Sequence, residues 1–313
     1  MENGELKIEK KRRLNTIEVP FQSGIILNLS MRFIRNLFIG YKAYIKAFRL
    51  IVDYKLYLYI IFPAILMLGI YQLGFMIHLH EPKATATSMN GIIWYLIKLL
   101  FEILIATTLM RFAKYLVVIL LAPLFSKISQ KVEFILTGNR YRFNFTQLVN
   151  DIKRGLKIGV RNIMWEVFFF TIIFLIGVIG WGDFSSSPVR HVLFFISFYY
   201  YGFSFMDYIH ERLQMNVQES TQLARENRGI ALSIGSVYSI LIWNFIDLNT
   251  LFDWSGFGAD PGQFLLTFTS NLGLWFCASF APIWAIVAAT IAMHDILDLK
   301  AHARDAFAEN TLK

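Results

Sequence analysis

Six long apolar stretches alternate with polar connectors along the 313-residue chain. Most of them are long enough to cross a bilayer as a helix, because about 20 helical residues span its ~30 Å hydrocarbon core. The pattern therefore predicts membrane-spanning helices rather than the core of a soluble domain. The stretches run over Leu56–Leu79, Ile92–Phe125, Ile163–Trp181, Val189–Tyr208, Gly229–Ile246 and Phe264–Ile296.

The basic residues are concentrated in alternate connectors. The segment up to Arg49 holds 10 Lys and Arg, Ser126–Arg161 holds 8, and Ile209–Arg228 and the tail after Ile296 hold 3 each. The connectors between them share only two. Cytoplasmic loops of membrane proteins carry such an excess of Lys and Arg. The alternation therefore predicts an integral membrane protein with both termini in the cytoplasm.

The composition agrees with a membrane protein. The chain is 56% hydrophobic and only 17% charged, which is too apolar for a soluble domain of this length. Its net charge of +8 lies beside apolar segments, which favours anionic lipids over nucleic acid as the partner. We expect a flexible basic tail over residues 1–30, one membrane domain over residues 31–296 and a cytoplasmic tail over residues 297–313.

Two segments have the pattern of amphipathic helices that lie in the membrane interface. Met31–Ile51 carries its basic residues on one side and aromatic and aliphatic residues on the other, and Asp151–Arg161 repeats this pattern. A cytoplasmic helix packed on another subunit is the alternative for the first segment. The basic residues of the two segments are Arg35, Lys42, Lys46, Arg49, Lys153, Arg154, Lys157 and Arg161.

The last four apolar stretches predict close helix pairs. A turn of only Gly182–Pro188 joins the third stretch to the fourth, so these form an antiparallel hairpin that either spans the membrane or stops part way. Small residues recur every four positions in the fifth and sixth stretches, which lets membrane helices approach closely. They are Ala231, Gly235 and Ser239, and Ala281, Ala285 and Ala289. The single cysteine, Cys277, is expected to be a small buried apolar side chain.

Three basic residues are the candidate anion-binding residues. Arg111 and Lys114 lie inside the second stretch, and Lys55 lies at the start of the first. A charge at such depth costs at least ~2.5–3.5 kcal/mol on insertion scales, so Arg111 should face a partner or a wet cavity. Basic side chains that converge on such a cavity make a path for anions. Snorkelling to lipid headgroups is the alternative, and it explains Lys55 better than Arg111.

No pattern for catalysis stands out. The chain has no phosphate-binding Gly-Lys-Ser/Thr loop and no Gly-x-Ser-x-Gly nucleophile turn. Two groups have the spacing of helical metal ligands, but both lie where a span meets the cytoplasm, where titratable residues are ordinary. We therefore expect no enzyme, no cofactor and no metal site. The two groups are Asp207, His210 and Glu211, and His294, Asp298 and His302.

One motif resembles that of a known family. Tyr115–Glu133, which contains Ala122-Pro123-Leu124-Phe125, is followed by Leu136-Thr137-Gly138. This segment is similar to the core motif of the CysZ/etoposide-induced-protein membrane family. Tyr199–Tyr208 and Arg225–Gly235 resemble further segments of that family in the same order, and Pro282–Thr290 loosely resembles its closing motif.

The resemblance implies an all-α membrane protein in which some helices span fully and others form hairpins that penetrate part way. Bacterial members are sulfate permeases that assemble as oligomers, and eukaryotic relatives lie in the endoplasmic reticulum. We therefore expect an ATP-independent permease for sulfate or a related small anion, which forms a homo-oligomer in a bacterial inner membrane. A membrane scaffold that binds lipid and transports nothing is the alternative.

One departure from the family weakens the inference to sulfate. At the start of the first span the permeases have a Gly-Leu-Arg-Arg-like turn that binds the anion, whereas this chain has Asp53–Tyr57 with a single Lys. In this interpretation Lys55 recruits the anion at the start of the first span, and Arg111 and Lys114 provide positive charge deeper in the membrane.

Overall fold

The fold is all-helical, as predicted. The computed structural model describes residues 24–69, 90–91, 93–94, 97–98, 120–139, 145–213, 215–242, 251, 254–258 and 260–297, and these contain no strand. We number the main helices α1 to α8. They are α1 (Gly24–Asp53), α2 (Leu56–Gly69, with a first turn of 3₁₀ helix at Leu56–Ile60), α3 (Ala122–Thr137), α4 (Phe145–Trp181), α5 (Val192–Arg212), α6 (Val217–Glu226), α7 (Arg228–Leu241) and α8 (Pro261–Ile296).

Three of these helices are long and apolar enough to cross a membrane. They comprise the residues Lys153–Trp181, Pro188–Arg212 and Pro261–Ile296, and the bent pair of α1 and α2 would make a fourth span. Helix α7 has only 14 residues, about 21 Å, so it is shorter than a bilayer core. Most of the second predicted stretch, with Arg111 and Lys114, lies outside the described residues.

Helix α1 has three faces rather than two. One is buried against α7 and α8, one is basic and exposed, and the third is apolar and exposed. The buried face comprises Asn36, Gly40, Ala43, Tyr44, Ala47 and Ile51, and the exposed apolar face comprises Ile34, Phe38, Tyr41, Ile45, Phe48 and Val52. Within this third face Tyr41 also contacts Ser236 of α7, and Phe48 contacts Phe280 and Trp284 of α8. The helix thus packs on its own bundle and leaves apolar surface exposed for a second partner, as an interfacial helix does.

Two hydrogen bonds to backbone carbonyls attach α1 to the bundle at Tyr44. Its hydroxyl donates to the carbonyl of Ile234 on α7 at 2.7 Å, and its own carbonyl accepts from Trp284 Nε1 of α8 at 2.9 Å. Beyond α1 the chain turns by 99° into α2. A helix lying along a membrane surface must bend in this way before it can enter the membrane.

Helix α4 joins two elements that the sequence pattern separates. The amphipathic segment Asp151–Arg161 and the apolar stretch from Ile163 form one helix of 37 residues. Only 11% of the most apolar part of this helix is buried, so its apolar side chains face outward almost all round. Such a surface has to be covered by lipid or by another protein chain.

The turn after α4 is defined by local hydrogen bonds. The Asp183 carboxylate accepts from the backbone N–H of Ser186, and Ser187 Oγ accepts from that of Val189. Gly182 begins the turn with φ 73°, a left-handed conformation that glycine adopts at no steric cost. The chain then returns as α5, which packs on α4 and confirms the predicted hairpin.

The predicted small-residue seams are buried, and that of α7 makes the closest helix contact. A Cβ added at Gly235 would lie 1.7 Å from the carbonyl oxygen of Phe198 on α5, and one added at Gly202 of α5 would lie 1.7 Å from that of Ala231. The seam of Ala281, Ala285 and Ala289 lies in the core of the bundle. Only glycine therefore fits at the crossing of α5 and α7.

Helix α8 is buried in its second half and exposed in its first. From Ala278 to Met293 nearly every side chain is buried, whereas Leu266 and Phe276 are exposed. The expectation that Cys277 is buried is wrong, because its side chain is exposed in the first half. The helical assignment continues through Pro282 without interruption.

Candidate functional site

A fully buried ion pair lies between α3 and α5. Arg212 Nη2 is 2.9 Å from Glu133 Oε2, and the two side chains are 2% and 1% exposed. Asn139 Nδ2 donates to the other carboxylate oxygen of Glu133 at 3.2 Å. The chain can place Asn139 there because Gly138 ends α3 in the left-handed conformation, with φ 81°.

A pair of hydroxyl groups lies one helical turn before the ion pair on α3. Ser129 Oγ and Thr290 Oγ1 of α8 are 2.6 Å apart, and both residues are fully buried. We call Ser129, Glu133, Arg212 and Thr290 the buried polar track. It connects α3, α5 and α8 beside the main hydrophobic cluster of the bundle.

A second polar network connects α4, α5 and α6. Arg154 donates to both carboxylate oxygens of Asp207, at 3.0 and 3.3 Å, and to the carbonyl of Met215. Ser220 donates to the same carboxylate and lies 2.8 Å from Nδ1 of His210. The Asp207 carboxylate is thus engaged by an arginine and a hydroxyl, and the described residues contain no cluster of metal ligands.

The third feature is a cavity of about 820 Å³ beside α4 and α5. Three arginines line it: Arg161 of α4, Arg225 of α6 and Arg228 of α7. We call this cavity the arginine pocket. Most of the other lining residues are aromatic, and none is acidic among the lining residues that the structure describes: Phe33, Trp165, Phe169, Phe195, Ile196, Tyr199, Tyr200, Phe203, Thr221 and Leu232.

Arg161 is held at the base of this pocket. Its guanidinium lies 5.0 Å from the centre of the Phe203 ring, a cation–π distance. Nη1 donates to Thr221 Oγ1, which fixes the group against α6. Nε is buried and has no hydrogen-bond partner among the described residues. The guanidinium is therefore oriented but not neutralised by a carboxylate.

The candidate anion-binding residues from the sequence lie elsewhere. Lys55 is exposed at the bend between α1 and α2, with a left-handed backbone (φ 54°). Arg111 and Lys114 are outside the described residues, so their predicted roles stay predictions. Sequence reasoning missed both the buried pair and the arginine pocket. The signal for the pair was present, since Glu133 belongs to the quoted motif, but nothing in the sequence indicates that Arg212 reaches it.

These features define an all-α membrane protein with charged groups inside its helical bundle. The chain belongs to the family described as sulfate transporter CysZ/etoposide-induced protein 2.4, whose family model matches residues 43–246. The match includes the buried polar track up to Arg212 and the three arginines of the pocket. A search of the curated proteins found no match, and neither did a search of the solved structures.

Proposed function

We propose that this protein is an ATP-independent permease for sulfate or a related small anion. Membership in the sulfate transporter family supports this proposal. We also infer that it resides in a bacterial inner membrane with both termini in the cytoplasm, because its basic connectors alternate with neutral ones. The apolar outer surface of α4 suits a homo-oligomer, since a second copy or lipid has to cover it.

The observation that carries the proposal is the buried polar track. Ionisable groups in the interior of a membrane protein are costly, and they mark ion and substrate pathways. Here a carboxylate and a guanidinium are buried together in a core of Ala, Ile and Val, with two hydroxyl groups one turn away. In this proposal the track lines the anion path with N–H and O–H donors, and Glu133 holds the guanidinium of Arg212 in place.

The three basic residues proposed from the sequence fit the same function. Lys55 is exposed where α1 bends into α2, so an anion can reach it from solvent. In this proposal Arg111 and Lys114 continue the positive path from the second apolar stretch.

The competing function is a non-transporting scaffold that binds anionic lipid. The free apolar face of α1, flanked by Arg35, Lys42, Lys46 and Arg49, favours this alternative. An interfacial helix would also orient a permease, however, so this surface does not exclude transport.

The deciding experiment is uptake of radiolabelled sulfate into proteoliposomes that contain the full chain. We expect uptake above that of empty vesicles. The double variant Ser129→Ala/Thr290→Val removes both hydroxyls of the track together, which leaves neither one unsatisfied and changes stability little. Uptake should fall in this variant and in Arg111→Ala, while the yield of folded protein stays the same.

The matched control is Ser233→Ala, which removes a buried hydroxyl from α7, away from the track. Its uptake should equal that of the unchanged protein. Uptake equal to empty vesicles, from protein shown to be folded and inserted, would reject sulfate transport. Unchanged uptake in the Ser129/Thr290 variant would show that the buried polar track is not part of the anion path.

A further inference from the structure

The arginine pocket combines three guanidinium groups with an aromatic wall. Several acidic side chains on its supporting helices have direct partners outside the pocket: Asp207 pairs with Arg154, Glu166 accepts from Ser197, Glu219 accepts from the backbone N–H of Asn216, and Glu226 lies 4.0 Å from Arg32. Arg225 and Arg228 form no salt bridge within the described part of the chain. Three guanidinium groups in one cavity repel one another, and an anion between them offsets this repulsion.

The guanidinium groups approach from different helices, which suits a tetrahedral oxyanion. Arg161 is oriented by Thr221 and Phe203, and Arg228 Nε donates to the backbone carbonyl of Arg225, which ties these two arginines together. Guanidinium binds phosphate and sulfate oxygens through paired N–H donors. A phosphate or sulfate group has several oxygens, so it offers acceptors to more than one guanidinium at a time.

The walls of the pocket indicate that the anion carries an apolar part. Trp165, Phe169 and Phe195 offer no hydrogen bond to a free hydrated oxyanion except through the indole N–H, yet they form much of the lining. Phe195 is 59% exposed, and the apolar surface continues along α4 through Phe168 and Ile172. A ligand can thus place its charge on the arginines and its apolar part along this surface.

The position of the pocket in the chain matches the boundary between membrane and water. Arg161 directly precedes the apolar run of α4 that begins at Ile163, whereas Arg225 belongs to the polar helix α6. Phospholipid phosphates lie at this level, and the basic connectors assign it to the cytoplasmic leaflet, which holds the anionic lipids.

We propose that the arginine pocket binds the headgroup phosphate of an anionic phospholipid. The phosphate contacts Arg161, Arg225 and Arg228, and the acyl part lies against the aromatic wall toward the exposed surface of α4. This lipid site is separate from the buried polar track, and it goes beyond the proposed permease function. A free phosphate or sulfate shares the same oxyanion chemistry, so the test has to distinguish these sources.

The experiment measures the affinity of the full chain in neutral detergent for phosphatidylglycerol, by native mass spectrometry across a lipid titration. Phosphatidylcholine is the lipid control. We expect the protein to retain phosphatidylglycerol in preference to phosphatidylcholine. The double variant Arg225→Gln/Arg228→Gln should weaken this affinity about tenfold or more, because each lost bond from a charged donor is worth about that factor.

The matched control removes the same number of positive charges from a different surface of the protein. Lys42→Gln/Arg49→Gln removes two cations from the exposed basic face of α1 and should change the affinity less than about twofold, because neither residue lines the arginine pocket. If both double variants lose the same affinity for phosphatidylglycerol, the attraction is diffuse and the proposal is wrong. The proposal is also wrong if the protein binds phosphatidylcholine as tightly as phosphatidylglycerol.

Two further measurements distinguish a bound lipid from a free oxyanion as the ligand of the pocket. Inorganic phosphate and sulfate at millimolar concentration should leave phosphatidylglycerol bound, and Phe195→Ala should weaken the lipid. If free oxyanion displaces the lipid completely and Phe195→Ala has no effect, the pocket is a site for inorganic anions and the lipid assignment is wrong. Sulfate uptake is measured separately, so failure of the lipid site leaves the permease proposal standing.

Discussion

The arginines of this bundle lie in two opposite settings. Arg212 is 2% exposed and paired with Glu133 at 2.9 Å, whereas Arg225 and Arg228 are exposed at the pocket and have no salt bridge among the described residues. A buried guanidinium needs a partner within the fold, since desolvation of an unpaired charge costs several kcal/mol. An exposed one keeps its hydration and is free to exchange water for a ligand.

The difference separates charges that hold the bundle together from charges available for binding. The buried pair and the Arg154–Asp207 pair each connect two helices, so removing one member should affect folding first. The pocket arginines contact few polar groups, so removing them should affect binding first. Variants that remove one charge from a buried pair, or one exposed charge, test this distinction directly.

The largest effect is expected from Glu133→Gln. It removes the carboxylate that lies 2.9 Å from the buried guanidinium of Arg212, and loss of one partner from a buried pair costs about 3–5 kcal/mol. We expect a large drop in the thermal unfolding midpoint of the purified protein, read from tryptophan fluorescence in detergent. Glu226→Gln, which alters an exposed carboxylate 4.0 Å from Arg32, should change it little. Adding Arg212→Gln to Glu133→Gln should restore part of the loss; equal midpoints for Glu133→Gln and Glu226→Gln would refute the assignment.

A smaller loss is expected from Asp207→Asn. The amide keeps one acceptor for Ser220 but cannot pair with Arg154, whose side chain is 17% exposed and so partly hydrated. The cost should be about 1–3 kcal/mol, the range for an incompletely satisfied buried group. The same unfolding assay measures it, beside Arg154→Gln and the double variant. If the two single losses simply add in the double variant, the pair does not act as a unit.

Periodicity predicted much of the fold. The apolar runs became α4, α5 and α8, the turn Gly182–Pro188 made a hairpin, and the small residues Ala231 and Gly235 mark the closest helix crossing. These features depend on local spacing, which a single sequence displays. The third face of α1 was not predicted, because Ala43 and Ala47 differ from exposed residues only through their neighbours on α7 and α8.

The candidate site was predicted far less well. Glu133 and Arg212 are 79 positions apart in the chain, and Arg161 and Arg228 are separated by a whole hairpin, so no spacing rule brings them together. The charges of the three arginines were counted toward membrane orientation, and Glu133 was noted only as part of the family motif, so neither interpretation required a contact. Only the packing of α3 on α5, and of α4 beside α6 and α7, reveals which of them are paired.

The smallest stability effect is expected at Lys55, an exposed cation with no buried partner among the residues that the structure describes. It adopts φ 54°, which costs a residue with a side chain roughly 1 kcal/mol relative to glycine. Lys55→Gly should therefore raise the unfolding midpoint slightly, and Lys55→Ala should leave it nearly unchanged. If Lys55 recruits the anion, both variants lower sulfate uptake equally at low sulfate, because both remove the charge. If sulfate uptake instead rises and falls with the unfolding midpoint of the variants, Lys55 contributes to the structure of the bend and does not bind the anion.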